Sequence, residues 1–137
     1  MNKIQLSPYI NFQGHAREAM EFYRNVLGGN LDLQTLNKQG VPKPASPGDR
    51  ISHARLEADG GLSIIASDGH PDYPAKVGDN LAIALGGTDR DRLTRIFTDL
   101  GEGGRIQMPL AKQPWGSAVG WLKDKFGINW VVSIDKA

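Results

Sequence analysis

Three histidines, His15, His53 and His70, have the widest chemical range of any side chains in this chain of 137 residues. An imidazole can act as an acid or base near neutral pH, and it can also bind a metal ion. A metal site built from all three would require a helix start and a loop to converge on the strand that carries His53, which ligand geometry disfavours. The chain contains no cysteine, which excludes disulfides, thiolate metal sites and a cysteine nucleophile. His53 is the one histidine in a predicted strand, and it is the candidate acid or base.

The glycine-rich and serine-containing segments show no other catalytic motif. The segment 101–104 reads GEGG and lacks both the spacing and the Lys-Ser/Thr end of a phosphate-binding loop, and it fails as a dinucleotide-binding motif for the same reason. None of the seven serines has the context of a nucleophile elbow. The sequence therefore directs attention to His53 and to the strands around it.

The elements that position these residues occur twice, at a fixed offset of 73 residues. Seven pairs match in type at this offset: Ile10 with Ile83, Phe12 with Leu85, Gly14 with Gly87, Met20 with Leu93, Tyr23 with Ile96, Leu27 with Leu100 and Gly28 with Gly101. Any two strand–turn–helix units share some of this pattern, which is the alternative explanation. We interpret the match as a duplicated module.

Each copy has the pattern of a strand, a helix and three further strands. The first copy has predicted strands at 4–12, 30–37, 51–58 and 61–67 and a helix at 15–27. The second copy begins with alternating apolar residues at 81–85, and Thr88 and Asp91 have the spacing of a helix N-terminal cap. Strands at 104–112, 117–124 and 128–135 follow its helix. The order βαβββ, found twice, excludes a doubly wound parallel sheet and predicts an α+β fold with the helices on one face of antiparallel-rich sheets.

The connections between these elements carry clear turn signals. The Gly28-Gly29 pair ends the first helix and Gly101 ends the second, Gly60-Gly61 predicts a tight hairpin, and 124–127 (DKFG) predicts a type I turn that ends in a left-handed glycine. The segment 38–50 contains three prolines, too many for a sheet interior, and is interpreted either as a mobile lid or as a solvated connection. We predict one domain over 1–137, with module one at about 1–70 and module two at about 78–137.

Strand alternation places four polar residues on one face of the first sheet. In the strand 51–58, small apolar residues alternate with His53 and Arg55, and in the strand 4–12 two apolar residues alternate with Tyr9 and Asn11. One interpretation is recognition of a small polar or anionic ligand, with Arg55 as a fixed cation and His53 as an acid or base. The other is that His53 satisfies a polar group of a neighbouring strand or meets solvent. Both interpretations remain open at this point.

Three tryptophans, Trp115, Trp121 and Trp130, lie in the last third of the chain. Trp130 alternates with two apolar residues, which predicts a core position. Trp115 follows a proline at a strand start, which favours the rim of a cavity or a dimer contact. The alternative for the cluster is stacking on a planar ligand.

Several motifs together resemble one protein family. They are 8–14 (PYINFQG), 18–23 (EAMEFY), 27–29 (LGG), His53-Ala54, Ser67-Asp68, Trp115-Gly116, 124–127 (DKFG) and Trp130. In this order, over nearly the whole chain, they resemble the PhnB-like branch of the vicinal oxygen chelate superfamily. That superfamily includes glyoxalase I, extradiol dioxygenases, fosfomycin-resistance transferases and bleomycin-binding proteins, so the resemblance is specific for fold and not for activity.

The resemblance implies two βαβββ modules whose curved sheets form a cup around a ligand cavity, with the helices on the outer face, in a protein that forms homodimers. It also implies a divalent metal held from the first and last strands of the modules. The matching positions here are Ser7 or Pro8, Asn80 or Leu81, and Val131 or Val132, and none of these is a strong ligand. We therefore expect no metal or other cofactor, with a divalent metal on non-standard ligands as the alternative.

Three functional hypotheses follow. The favoured one is a protein that binds a small organic ligand, with Tyr9, Asn11, His53, Arg55 and Trp115 as ligand-binding residues. The second is a metal-dependent lyase, dioxygenase or transferase of the same superfamily, and the third is a dimeric interaction module without a ligand. A net charge of +1, with basic residues scattered along the chain, gives no support for nucleic acid or a membrane surface as partner. The lack of cysteine and of an apolar N-terminal stretch is consistent with a cytoplasmic protein.

Overall fold

In the computed structural model, which describes residues 4–136, nine strands and two helices follow one another along the chain. The strands are β1 (Tyr9–Asn11), β2 (Asn30–Leu36), β3 (Pro42–Pro44), β4 (His53–Ala58), β5 (Leu62–Ser67), β6 (Ile83–Gly87), β7 (Arg105–Lys112), β8 (Ala118–Lys123) and β9 (Asn129–Ile134). The helices are α1 (Ala16–Leu27) and α2 (Arg90–Leu100).

The chain divides into two compact units, of which unit one ends at Lys76 and unit two begins at Val77. Unit one contains α1 and a sheet in the order β1-β5-β4-β2-β3, and unit two contains α2 and a sheet in the order β6-β9-β8-β7. In unit one β1 runs parallel to β5, and in unit two β6 runs parallel to β9. All other neighbouring strands are antiparallel. The predicted α+β class and the repeated βαβββ order are therefore confirmed.

The core of unit one forms between α1 and one face of its sheet. The helix buries residues at three- and four-residue spacing: Ala16, Ala19, Met20, Tyr23 and Leu27. The sheet contributes alternate residues of β4 and β5, which are Ala54, Leu56, Ile64 and Ala66. Burying one large apolar side chain is worth about 1.5–3 kcal/mol, so this contact fixes which face of the sheet the helix covers. The opposite face of the sheet carries the residues at the intervening positions of these strands.

The core of unit two is built in the same way. Residues Leu93, Ile96, Phe97 and Leu100 of α2 are buried, as are Leu122, Trp130, Val132 and Ile134 of the sheet. Trp130 has no exposed surface, and its indole Nε1 donates a hydrogen bond to Asp124 Oδ2 at 2.8 Å. The predicted core position of Trp130 is therefore confirmed, and this ring is not available for stacking on a ligand.

The start of α2 differs by one residue from the sequence prediction. Asp89, not Thr88, is the N-cap, and its Oδ1 accepts a hydrogen bond from the backbone N–H of Arg92 at 3.2 Å. A carboxylate accepts more strongly than a hydroxyl at this position, which favours the later start. The end of α1 is as predicted, because Gly28 is its C-cap and donates its N–H to the Arg24 carbonyl at 2.7 Å.

The strands differ from prediction in their lengths and in one addition. The first strand covers Tyr9–Asn11 rather than 4–12, and the strand expected around 81–85 begins at Ile83. The prolines of the segment 38–50 exclude it from a sheet interior, and within it β3 pairs with β2 at the sheet edge. The paired residues run from Gln34 with Pro44 to Leu36 with Pro42. Because β3 lies at the sheet edge, its prolines need no second partner strand. The segment is thus partly a strand and not simply a lid or a solvated connection.

The two predicted turns are present. Gly60 and Gly61 both have positive φ, +85° and +79°, which matches the type I′ hairpin turn between β4 and β5. Gly127, with φ of +88°, donates its N–H to the Asp124 carbonyl at 3.0 Å and closes the turn between β8 and β9. In the described part of the chain, neither helix is long and apolar enough to cross a membrane.

Candidate functional site

The face of the unit-one sheet opposite α1 is polar, and we call it the polar face. It is defined by three rows of cross-strand neighbours: Asn11, Ser67, His53 and Gln34; Tyr9, Ile65, Arg55 and Asp32; Ser63, Glu57 and Asn30. Paired residues of neighbouring strands point to the same side of a sheet. The local sequence produces this face because β4 and β5 place their buried apolar residues at the intervening positions, and β1 and β2 place partly buried apolar residues there.

The first row places His53 between two potential hydrogen-bonding neighbours. Gln34 of β2 is the register partner of His53, and the pairing of Ala54 with Ala66 places Ser67 of β5 next to it on the other side. His53 is half-buried, and within residues 4–136 its imidazole makes no hydrogen bond or ion pair. The ring can therefore donate to and accept from a bound molecule.

Tyr9 and Asn11 hold the β1 end of the polar face. The Tyr9 hydroxyl donates to Ser67 Oγ at 2.7 Å, while 57% of the residue's surface is exposed. Ser67 Oγ also accepts the backbone N–H of Gly69 at 3.1 Å. The Asn11 side chain lies against Gly69, and its Oδ1 accepts the backbone N–H of Gln13 at 2.9 Å. These bonds fix both side chains, and one lone pair of the Tyr9 oxygen is left for another donor.

Arg55 does not present a free charge. Its Nε forms an ion pair with Glu57 Oε1 at 2.6 Å, and its terminal nitrogen donates to Gln5 Oε1 at 2.8 Å. Glu57 lies two residues along β4 and therefore on the same face. The pair is partly exposed, so its contribution to stability is small, but it cancels the charge of the guanidinium.

Four of the five predicted binding residues, Tyr9, Asn11, His53 and Arg55, thus lie on one face of one sheet. Trp115 belongs to unit two, where it occupies the turn between β7 and β8 with 71% of its surface exposed. The sequence prediction missed Ser67 and Gln34. Ser67 was singled out only as part of a motif, although it pairs with Asn11 and therefore faces the same side. Nothing in the sequence gives the register that brings Gln34 to His53.

The positions that would carry a divalent metal do not fit one. The Ser7 hydroxyl donates to Ser63 Oγ at 3.1 Å, and the Pro8 carbonyl accepts the backbone N–H of Ile65 at 3.0 Å. Leu81, Val131 and Val132 offer no side-chain donor atom, and the single amide of Asn80 cannot hold a metal alone. In the described part of the chain no group of three or more His, Asp or Glu side chains is placed to hold a metal ion. Divalent metals prefer imidazole, carboxylate or carbonyl ligands in a convergent set, and these residues do not supply it.

One relative in sequence and several in structure are similar to this chain over nearly its full length. Protein YjdN of Escherichia coli is 28% identical, with 97% of each chain covered. The crystal structure of protein PA1353 from Pseudomonas aeruginosa is 37% identical, with 98% of this chain and 100% of that chain covered and a TM-score of 0.82.

Two further structures show the same fold at lower identity. A PhnB protein from Bacillus cereus is 21% identical over 96% of this chain and 99% of that chain, with a TM-score of 0.73. A glyoxalase/bleomycin resistance/dioxygenase domain from Frankia is 14% identical over 99% of each chain, with a TM-score of 0.60. The resemblance to the PhnB-like branch that the motifs indicated is therefore confirmed. The chain shares its fold with the PhnB protein and with the glyoxalase/bleomycin resistance/dioxygenase domain. Because the family model of 3-demethylubiquinone-9 3-methyltransferases matches residues 4–133, the chain belongs to that family.

Proposed function

We propose that the polar face of unit one binds a small polar organic ligand directly, without a divalent metal, and that His53 is its central contact. The observation that carries this proposal is the row Asn11, Ser67, His53 and Gln34, in which donors and acceptors from four strands are adjacent and the imidazole is unengaged among the described residues. Binding sites use a few placed polar groups of this kind to orient a ligand.

The ion pair of Arg55 with Glu57 limits which kinds of ligand the polar face favours. A free guanidinium would favour a carboxylate or phosphate, but Glu57 already occupies its Nε and Gln5 one terminal nitrogen. The groups of the row Asn11, Ser67, His53 and Gln34 are hydroxyl, amide and imidazole, which both donate and accept. We therefore expect an uncharged ligand with several hydroxyl, carbonyl or amide groups. If a reaction occurs, His53 is the acid or base.

The methyl transfer in the family's description is not part of this proposal, because no observation on the polar face points to a methyl-donor site. A metal-dependent reaction is also not favoured, since Ser7 and Pro8 are engaged within the sheet and Val131 and Val132 cannot ligate. Self-association is part of the proposal. Trp115, exposed in its turn, is the residue we assign to contact with a second copy.

A thermal-shift screen of small polar metabolites and divalent ions tests this proposal. Compounds that raise the midpoint of thermal unfolding of the unmodified protein should have no effect on His53→Ala. They should still raise the midpoint of His70→Ala, because His70 lies outside the sheet with an exposed side chain. Isothermal titration then gives the affinity of each compound. His53→Ala should leave the ligand-free midpoint nearly unchanged, as expected for a half-buried residue without a protein partner.

Three results would contradict the proposal. Equal ligand responses in His53→Ala and the unmodified protein would remove His53 from the site. Stoichiometric metal in the purified protein, or a large ion-dependent rise in the midpoint, would contradict direct binding. If no compound changes the midpoint, the interaction-module hypothesis replaces ligand binding.

A further inference from the structure

A hollow between α2 and β7 lies entirely within unit two and is separate from the polar face. Its volume is about 420 Å³. A second hollow of about 510 Å³ adjoins it and shares three of its lining residues, Phe97, Thr98 and Leu110. We call the two together the α2–β7 trough. It follows α2 from Arg90 to Gly101, a length of about 16 Å at the rise of an α-helix. A trough of this size accommodates a small organic molecule.

The floor of the trough is apolar. Phe97 and Ile134 are buried residues of the core, and Leu110 is half-buried in β7. The Phe97 ring lies directly on Gly120: a Cβ added to Gly120 would come within 2.7 Å of Phe97 Cε1. The absence of a side chain at Gly120 therefore leaves room for the Phe97 ring at this position. Such a floor favours an apolar group of the ligand because it removes that group from water.

One end of the trough is cationic. Arg90 of α2, Lys112 of β7 and Lys136 line the first hollow, which has no Asp or Glu among its lining residues. No ion pair involves these three cations within residues 4–136. Asp135, next to Lys136, accepts hydrogen bonds from Ser117 and Ser133 and does not line the hollow. Three unpaired cations over an apolar floor are complementary to an anion that carries an apolar tail.

The opposite end of the trough carries negative charge. Asp99 and Glu102 line the second hollow, near the C-terminal end of α2. An anionic head is repelled from this end and attracted to the other, so the charges define one orientation for the ligand. Thr94 and Thr98 lie between the two ends, and the Thr98 hydroxyl is engaged with the Thr94 carbonyl at 3.1 Å.

We propose that the α2–β7 trough binds a small organic carboxylate with an apolar tail. The carboxylate lies among Arg90, Lys112 and Lys136, with Arg90 able to donate two parallel hydrogen bonds to it. The tail lies over Phe97 and Leu110 and extends toward the second hollow. This site is independent of the function proposed for unit one.

Isothermal titration of the full chain with octanoate, octylammonium and octanol tests the proposal. Octanoate should bind, octanol should bind more weakly, and octylammonium should not bind. In Arg90→Gln/Lys112→Gln the affinity for octanoate should fall about tenfold or more, because two charge-assisted contacts are lost. The matched control is Arg95→Gln/Arg105→Gln, which removes one cation from α2 and one from β7 outside the trough lining and should bind normally. Added salt should weaken the binding of octanoate because the cations are exposed.

Three further variants locate the site. Thr94→Trp places an indole in the trough from an exposed helix position and should block octanoate, whereas Arg95→Trp beside it should not. His53→Ala should leave octanoate binding unchanged, which separates this site from the polar face. The proposal would be overturned if octanoate does not bind, or if octanoate and octylammonium bind equally. It would also be overturned if Arg90→Gln/Lys112→Gln or Thr94→Trp binds octanoate normally, or if His53→Ala loses octanoate binding.

Discussion

Asp68 shows how a single residue holds distant parts of unit one together. Its side chain is 5% exposed, and its two oxygens accept three backbone N–H groups: Gly14 and Ala16 on Oδ1 and Ile51 on Oδ2, each at 2.9 Å. His15, the N-cap of α1, makes no side-chain capping bond. Asp68 therefore caps the N-terminus of α1, although it lies 52 residues after Ala16 in the sequence. It fixes the start of the helix relative to the end of β5.

We expect Asp68→Asn to lower the free energy of unfolding by about 2–4 kcal/mol, because an amide NH₂ replaces one acceptor and faces backbone donors. Urea unfolding followed by circular dichroism measures the loss. Asp59→Asn, an exposed change in the β4–β5 turn, is the control and should stay within about 0.5 kcal/mol. Equal stability of the two variants would show that Asp68 contributes no more than a surface carboxylate.

The sequence indicates which face a residue occupies but not its partner on that face. Strand alternation was sufficient to group Tyr9, Asn11, His53 and Arg55, because the period of a strand is two. The hydrogen bond from Tyr9 to Ser67 and the proximity of Gln34 to His53 depend on the register between strands that lie far apart in sequence. The ion pair of Arg55 with Glu57 is local, at a spacing of two, and could have been inferred from the sequence.

At the scale of elements, the junction between α1 and β2 depends on two adjacent glycines with different requirements. Gly28 and Gly29 both have positive φ, +79° and +97°. A Cβ on Gly28 would meet nothing within 4 Å, whereas a Cβ on Gly29 would lie 2.7 Å from the Ala58 Cα and closer still to the Glu57 carbonyl. Gly28 is therefore needed for its conformation alone, and Gly29 also for the close approach of β2 to β4.

We expect Gly28→Ala to cost about 1 kcal/mol of unfolding free energy and Gly29→Ala about 3 kcal/mol or more, since the second adds a backbone clash to the strain. Chemical denaturation of both variants gives the difference directly. Because the two positions are neighbours with similar φ, each serves as the control for the other. Similar costs at both positions would mean that β2 shifts away from β4 without penalty.

Element types could be predicted from the sequence, and element ends less well. The two helices and the four main strands of each unit follow from apolar periodicity, which reflects burial against one face. The strand β3 could not be predicted, because its prolines are tolerated only at an edge, and edge position is a property of the whole sheet. The N-cap of α2 is Asp89, one residue after the predicted Thr88. Both residue types are good N-caps, and the choice between them depends on where the helix begins.

At the scale of the whole molecule, large apolar side chains remain exposed. Those in unit two include Val77, Leu81, Ile106, Trp115 and Trp121. Large exposed apolar side chains of this kind are candidates for contact with a partner where they lie together on the surface. The resemblance to the PhnB-like branch predicts a homodimer, and Trp115 is the exposed ring that we assign to its interface.

We expect light scattering of the purified protein at micromolar concentration to give a mass close to twice the 14.9 kDa of one chain. Trp115→Ser should shift the equilibrium toward the monomer, because burying an exposed indole is a large part of the energy of such an interface. Tyr73→Ser, which removes another exposed aromatic ring, is the control and should leave the mass unchanged. A mass of one chain at every concentration would contradict self-association, and a dimer unaffected by Trp115→Ser would place the interface on another surface.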